Sequence, residues 1–177
     1  WTRAETSNRA AAQALAWFHA HVDATCQAPW SPPRGLGLRE DIGQDQPIVP
    51  LHGDYSPVNV MLLPDDGIAI IDAIPNLYFV PARTTHGPRL VDIANYIAKL
   101  KWPYRLRSYS SRWGRAASRL RTEFIATYSA TAAVEVDLDQ LSRLEQSVKY
   151  GYAAHKSPSR LVRFGASAVC AVASRIL

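Results

Sequence analysis

Two short apolar runs, Val60-Met61-Leu62-Leu63 and Ile68-Ala69-Ile70-Ile71, flank the tetrapeptide Pro64-Asp65-Asp66-Gly67. Runs of this length suit strands better than helices, and proline, aspartate and glycine in succession reverse a chain. The stretch therefore reads as a β-hairpin. A turn centred between Asp65 and Asp66 pairs Leu63 with Ile68 and Val60 with Ile71, and sets Asn59 opposite Asp72. Directly opposed residues of an antiparallel pair lie roughly 5 Å apart at Cβ. The hairpin is thus expected to bring an amide and a carboxylate to one spot.

The rest of the chain reads as mostly helical. Residues 7–26 carry Ala11, Leu15, Phe18, Val22 and Cys26 at helical spacing, with Ser7 or Asn8 as N-cap. His19 and His21 lie two positions apart on that helix, face different directions and read as surface or packing residues. Residues 28–47 are rich in proline and glycine and read as a long loop. A short apolar stretch, residues 48–51, leads into the motif region. Residues 75–88 read as irregular. Leu90, Ile93, Ala94, Ile97 and Leu100 predict a helix that Pro103 ends. A further helix over 112–130 presents Trp113, Ala117, Leu120, Phe124 and Tyr128. Asp137 and Gln140 resemble a capping box for a helix running to about Tyr152, and Ser157-Pro158 opens a last one.

Asp54 precedes Asn59 by five residues, and Tyr55-Ser56-Pro57-Val58 forms the bend between them. Three oxygen-bearing side chains, Asp54, Asn59 and Asp72, then surround the open end of the hairpin. Magnesium takes oxygen ligands, usually one or two from protein with phosphates and water completing the octahedron. Asn59 and Asp72 fit that part. Asp54 lies to one side, and an ordinary aspartate is ionised at neutral pH and able to accept a hydroxyl proton.

The pattern His52-Gly53-Asp54, four residues and Asn59 is that of a protein-kinase catalytic loop with Gly53 in place of the usual arginine. With the hairpin and Ile71-Asp72 after it, it resembles the aminoglycoside phosphotransferase and choline kinase superfamily. The resemblance covers residues 10–100 best. It implies an α+β, mainly helical fold: residues 1–177 as the C-terminal lobe of a kinase-like protein, with the catalytic loop and hairpin at 48–73. It implies ATP as phosphate donor, Mg2+ as cofactor, and a small-molecule hydroxyl as acceptor, such as an aminoglycoside, choline, another amino alcohol or a sugar. It makes Asp54 the catalytic base and Asn59 and Asp72 the metal ligands. His52 braces the loop, and Asp92, in Leu90-Val91-Asp92-Ile93-Ala94, hydrogen-bonds its backbone. Two departures stand out: Ala73-Ile74 follow Asp72 where relatives have Phe-Gly or similar, and the stretch to Asp92 is longer than in many of them.

Kinase-like folds cover the phosphates with a glycine-rich loop and a strand lysine. No segment of the 177 residues, which begin with Trp rather than Met, reads as one. An N-terminal lobe is therefore expected in a parent chain, and weak nucleotide binding from these residues alone. A kinase-like remnant that binds or regulates without catalysis is the competing expectation.

Net charge is +5 but uneven: residues 1–100 hold 7 Lys and Arg against 10 Asp and Glu, whereas 101–177 hold 13 against 5. Arg105, Arg107, Arg112, Arg115, Arg119 and Arg121 offer nucleic acid a basic face, but no nucleic-acid motif accompanies them, so a solvated helix surface is the stronger reading. Cys26 and Cys170 match no metal or redox spacing and read as buried thiols of a cytoplasmic protein. The apolar residues 166–172 are too few to span a bilayer.

Overall fold

The computed structural model describes residues 2–22, 46–64, 67–73, 86–100 and 111–156. Expectations placed on the loop before Gln46, both cysteines, Pro103, Arg105, Arg107 and everything from Ser157 onward lie outside the described residues. The described elements, in chain order, are α1 (Thr2–His21), β1 (Ile48–Pro50), β2 (Val60–Leu62), β3 (Ile68–Ile70), β4 (His86–Pro88), α2 (Leu90–Leu100), α3 (Ser111–Ala132) and α4 (Leu138–Lys156). The fold is α+β and mainly helical.

α1 packs along α3, and α2 packs on α4. The buried stripe of α1 runs through Asn8, Ala11, Ala12, Leu15, Ala16 and His19. The alanines allow close approach to α3. This stripe is rotated from the expected one: Val22 is exposed, because Asn8 and His19, not Val22, reach inward to polar partners. Ser7 and Asn8 sit inside the helix rather than capping it. Ser7 Oγ donates to Arg3 O at 2.9 Å, and Asn8 Nδ2 donates to Leu120 O on α3 at 2.9 Å.

α2 is buried at every position from Leu90 to Ile97, as expected of a helix enclosed on all sides. α3 contributes Phe124, Ile125 and Tyr128 to the core and also buries Leu120, and α4 contributes Leu141, Leu144 and Val148. Asp137 caps α4: its Oδ1 accepts from the backbone N–H of Asp139 at 3.0 Å and of Gln140 at 2.9 Å. α3 is terminated by Ala133, the residue after its last, whose φ of 52° is left-handed, with Val134 N–H donating back to Ser129 O at 3.1 Å.

β1 and β4 pair antiparallel, with Ile48 opposite Pro88 and Pro50 opposite His86. The segment read as irregular thus ends in a strand. The signal was masked because His86-Gly87-Pro88 has no strand-forming side-chain pattern. Proline is tolerated here because each one ends the ladder, where its missing N–H breaks no interior bond.

β2 and β3 form the expected hairpin in a different register. Val60 pairs with Ile70 and Leu62 with Ile68, and Leu63 N–H donates to Gly67 O at 2.9 Å. Three residues, 64–66, therefore lie between the closing pair, where the sequence reading assumed an even-numbered turn. The odd loop shifts the pairing by one position. Asn59 consequently faces Ile71, whose N–H donates to Asn59 O at 3.0 Å, and Asp72 follows one residue later.

Among the described residues no helix is long and apolar enough to cross a membrane.

Candidate active site

The loop between β1 and β2 is fixed from below by α2. Asp92 lies in the first turn of α2 and is fully buried. Its Oδ2 accepts from His52 N–H at 2.8 Å, and its Oδ1 accepts from Gly53 N–H at 2.9 Å. One helix turn later, Asn95 Nδ2 donates to Gly53 O at 3.2 Å. Gly53 has φ 80°, a left-handed conformation in a buried setting. A side chain there would meet both a backbone penalty and the packed floor of the loop. α2 thus holds two consecutive loop residues by three hydrogen bonds.

His52 closes the loop onto the hairpin. Its Nε2–H donates to Ile71 O at 2.9 Å, since a carbonyl can only accept. Its Nδ1 then accepts from Asp54 N–H at 3.2 Å. Both roles belong to the neutral ring. Burial lowers the His52 pKa below its ordinary 6.5, outweighing the opposing effects of Asp92 and of the hydrogen bond to Ile71; Lys99 lowers it a little further and Asp72 raises it least. The residue therefore ties Asp54 to the residue preceding Asp72.

An aromatic series anchors the same loop sideways. The His52 ring lies 6.0 Å from Phe18 and 5.3 Å from Tyr55. Tyr55 lies 5.5 Å from Tyr96, which stacks on Phe124 at 4.2 Å. Tyr55 Oη donates to Ala11 O at 2.6 Å, and burial raises the pKa of this phenol, as it does that of Tyr96. Contacts from α1 and α2 thus converge on two loop residues, His52 and Tyr55, with Phe124 of α3 backing Tyr96.

Ser56-Pro57-Val58-Asn59 is a β-turn closed by Asn59 N–H on Ser56 O at 3.0 Å, with proline in its favoured second position. The turn returns Asn59 to Asp54. Asn59 Nδ2 donates to Asp54 O at 2.9 Å and approaches Asp54 Oδ2 at 3.3 Å. Its nitrogen being so used, Oδ1 is the atom suited to a hard cation. Asp72 is exposed and left-handed at φ 55°, so the chain turns away from the strand direction there. It is near enough to His52 to act on its titration. The structure therefore gathers His52, Asp54, Asn59 and Asp92 by direct bonds. Asp72 joins them through the Asn59–Ile71 ladder and not by facing Asn59.

Among the described residues no three His, Cys, Asp or Glu side chains converge on a metal-sized position. An amide oxygen and one or two carboxylates match what Mg2+ takes from a protein when phosphates supply the remaining ligands, rather than an all-protein cage.

Four residues of this network carried no motif signal. Lys99 of α2 forms an ion pair with Asp54 Oδ1. Burial pulls the Lys99 pKa from 10.5 to about 8. Asn95 was counted only as part of a helix. His19, read as surface or packing, is buried: its Nε2 donates to Asp92 Oδ2 at 3.2 Å, and its Nδ1 shares a hydrogen with Tyr128 Oη at 2.7 Å. The Tyr128 pKa is raised to about 12, mainly by burial. His21 is exposed and stacks on Trp17. The available signal was on α2: Asp92, Asn95 and Lys99 are polar residues at intervals of three and four in an otherwise apolar helix.

On α3, Arg119 pairs with Glu5 at 2.6 Å and Arg121 with Glu145 at 2.7 Å. Two arginines of the basic face are thus engaged within the protein.

No curated protein and no solved structure matches the chain. A model of the phosphotransferase enzyme family matches residues 2–137, which include the loop, the hairpin and the whole of α2. That is well over half of the 177 residues, and the chain belongs to the phosphotransferase enzyme family, within the aminoglycoside phosphotransferase and choline kinase superfamily.

Proposed function

We propose that this chain is the catalytic lobe of a kinase-like phosphotransferase, moving the γ-phosphoryl group of ATP to a hydroxyl of a small molecule. The supporting observation is the placement of Asp54. Its backbone is held by His52 and Asn59, and its side chain is 31% exposed. A carboxylate so placed can accept an acceptor proton while its own position stays constant. The acceptor oxygen forms the new P–O bond, the bond from phosphorus to the bridging oxygen breaks, ADP leaves, and the hydroxyl proton passes to Asp54. Asn59 Oδ1 and Asp72 would hold Mg2+, which when bound neutralises charge on the phosphates. His52, Asp92 and Asn95 keep the loop in one conformation, so little reorganisation accompanies transfer. The reading includes a second lobe, contributed by sequence outside these residues, that covers the nucleotide.

A second reading, a binding or regulatory module without turnover, draws support from the Lys99 ammonium resting on Asp54. One experiment separates the two. Full-length protein and its Asp54→Asn variant are given labelled ATP and a panel of amino alcohols, aminoglycosides and sugars. A drop in turnover of roughly 100-fold or more with the fold retained supports catalysis. Equal turnover in both proteins removes Asp54 from the role of base, and no turnover with any acceptor supports the module.

A further inference from the structure

We propose that Lys99 is a positioning residue of this site: its ammonium fixes the orientation of the Asp54 carboxylate and places a positive charge beside the path of the transferred phosphoryl group. The inference rests on the phosphotransferase reading and extends it to a residue outside the motif.

The argument begins on one face of α2. Asp92 takes the N–H groups of His52 and Gly53, Asn95 takes the carbonyl of Gly53, and Lys99 takes the carboxylate of Asp54. Three positions of one helix thus serve three consecutive loop residues, in order. The first two contacts set the distance and rotation between loop and helix. A lysine two turns after Asp92 then reaches Asp54 without further adjustment.

The carboxylate is held from both sides. Asn59 Nδ2 lies on Oδ2, and Lys99 Nζ lies on Oδ1. Each oxygen of an ionised carboxylate keeps a further lone pair, so a hydroxyl can still donate to it. The Lys99 side chain is 25% exposed and that of Asp54 31%, so both partners of the ion pair reach solvent. It retains N–H donors beyond the one spent on Asp54. In phosphoryl transfer, charge spreads over the three equatorial oxygens of the transferred group, and fixed cations beside them contribute strongly to rate. An ammonium already bound to the base stands where those oxygens pass when the hydroxyl held by Asp54 attacks. The flexible lysine stem allows it to keep the carboxylate and follow the phosphoryl oxygens.

The test uses full-length protein with Lys99→Met, which preserves stem length and removes charge, and Lys99→Arg, which keeps the charge. Asp54→Asn is run in parallel with an acceptor the parent enzyme uses. The expected result is a fall in kcat of roughly 10- to 100-fold for Lys99→Met. KM for ATP and acceptor should move less than about threefold, and Lys99→Arg should recover part of kcat. A purely structural lysine would not divide kcat from KM, nor would a charge-keeping substitute restore turnover. Unchanged or raised kcat in Lys99→Met overturns the proposal, the latter by showing that Lys99 masks the base. Equal losses in both variants with intact thermal midpoints overturn it as well. Should Lys99→Met fail to fold, Lys99→Arg decides alone: measurable turnover with parental KM supports the charge requirement, and its loss in a folded protein refutes it. Failure of the underlying reading is distinct, since Asp54→Asn would then retain the activity of the parent.

Discussion

Replacing Asp92 by asparagine keeps the size of the side chain and changes only its hydrogen bonding. One acceptor oxygen becomes an NH2 group, so either His52 N–H or Gly53 N–H faces a donor in place of the oxygen it meets now at 2.8 or 2.9 Å. Hydrogen bonds to a charged group contribute roughly 1.5–3 kcal/mol, and a buried N–H left unpaired costs about 1–3 kcal/mol. The surviving bond also weakens when the charge is lost. Asp92→Asn should therefore destabilise the protein by about 2–4 kcal/mol, and Asp92→Ala, which abandons both backbone N–H groups and the His19 Nε2–H, by about 3–6 kcal/mol. A domain with a total stability of roughly 5–15 kcal/mol would register either change clearly. Urea unfolding measures it, with the midpoint falling and the slope unchanged. Amide hydrogen exchange localises it: His52 and Gly53 should exchange on the order of a hundred times faster, beyond the change at Leu141 or Leu144 of α4. A loss below about 1 kcal/mol in Asp92→Ala, or no selective change at those two amides, would refute the view that α2 clamps the loop through this carboxylate.

Two more consequences follow from the same loop. Gly53 sits at φ 80° in a buried position, so Gly53→Ala should cost about 1–2 kcal/mol from the backbone alone, read by urea midpoint, and a neutral result would contradict the assigned conformation. His52 has a pKa lowered below 6.5, chiefly by burial. The unfolded chain then binds the proton more readily, so the stabilising contribution is complete above about pH 6.5 and declines as pH falls toward the folded value. The limiting slope is about 1.4 kcal/mol per pH unit, and this component should vanish in His52→Gln when denaturation midpoints are compared between pH 7.5 and 5.5.

The amino-acid sequence alone determined the features set by local periodicity and short spacing. The helices around Leu15, Ile93, Phe124 and Leu144, the Asp137 cap and the existence of the hairpin all follow from patterns within about twenty residues. The cluster of His52, Asp54 and Asn59 was legible for the same reason, because a proline-stiffened turn of fixed length joins its members. Asp92 was legible only through resemblance, since nothing in its own surroundings says that it meets a loop 39 residues earlier.

Tertiary structure decided what depends on long-range docking. The loop length of the hairpin placed Ile71 and not Asp72 across from Asn59, a difference of one residue that composition cannot resolve. The packing of α1 against α3 turned His19 inward to Asp92 and Tyr128. The seating of α2 beneath the loop carried Asn95 and Lys99 to Gly53 and Asp54, at separations of 42 and 45 residues. Helical periodicity tells which residues share a face. Which partner that face meets is set by how the helices dock, and that depends on contacts summed over the whole core.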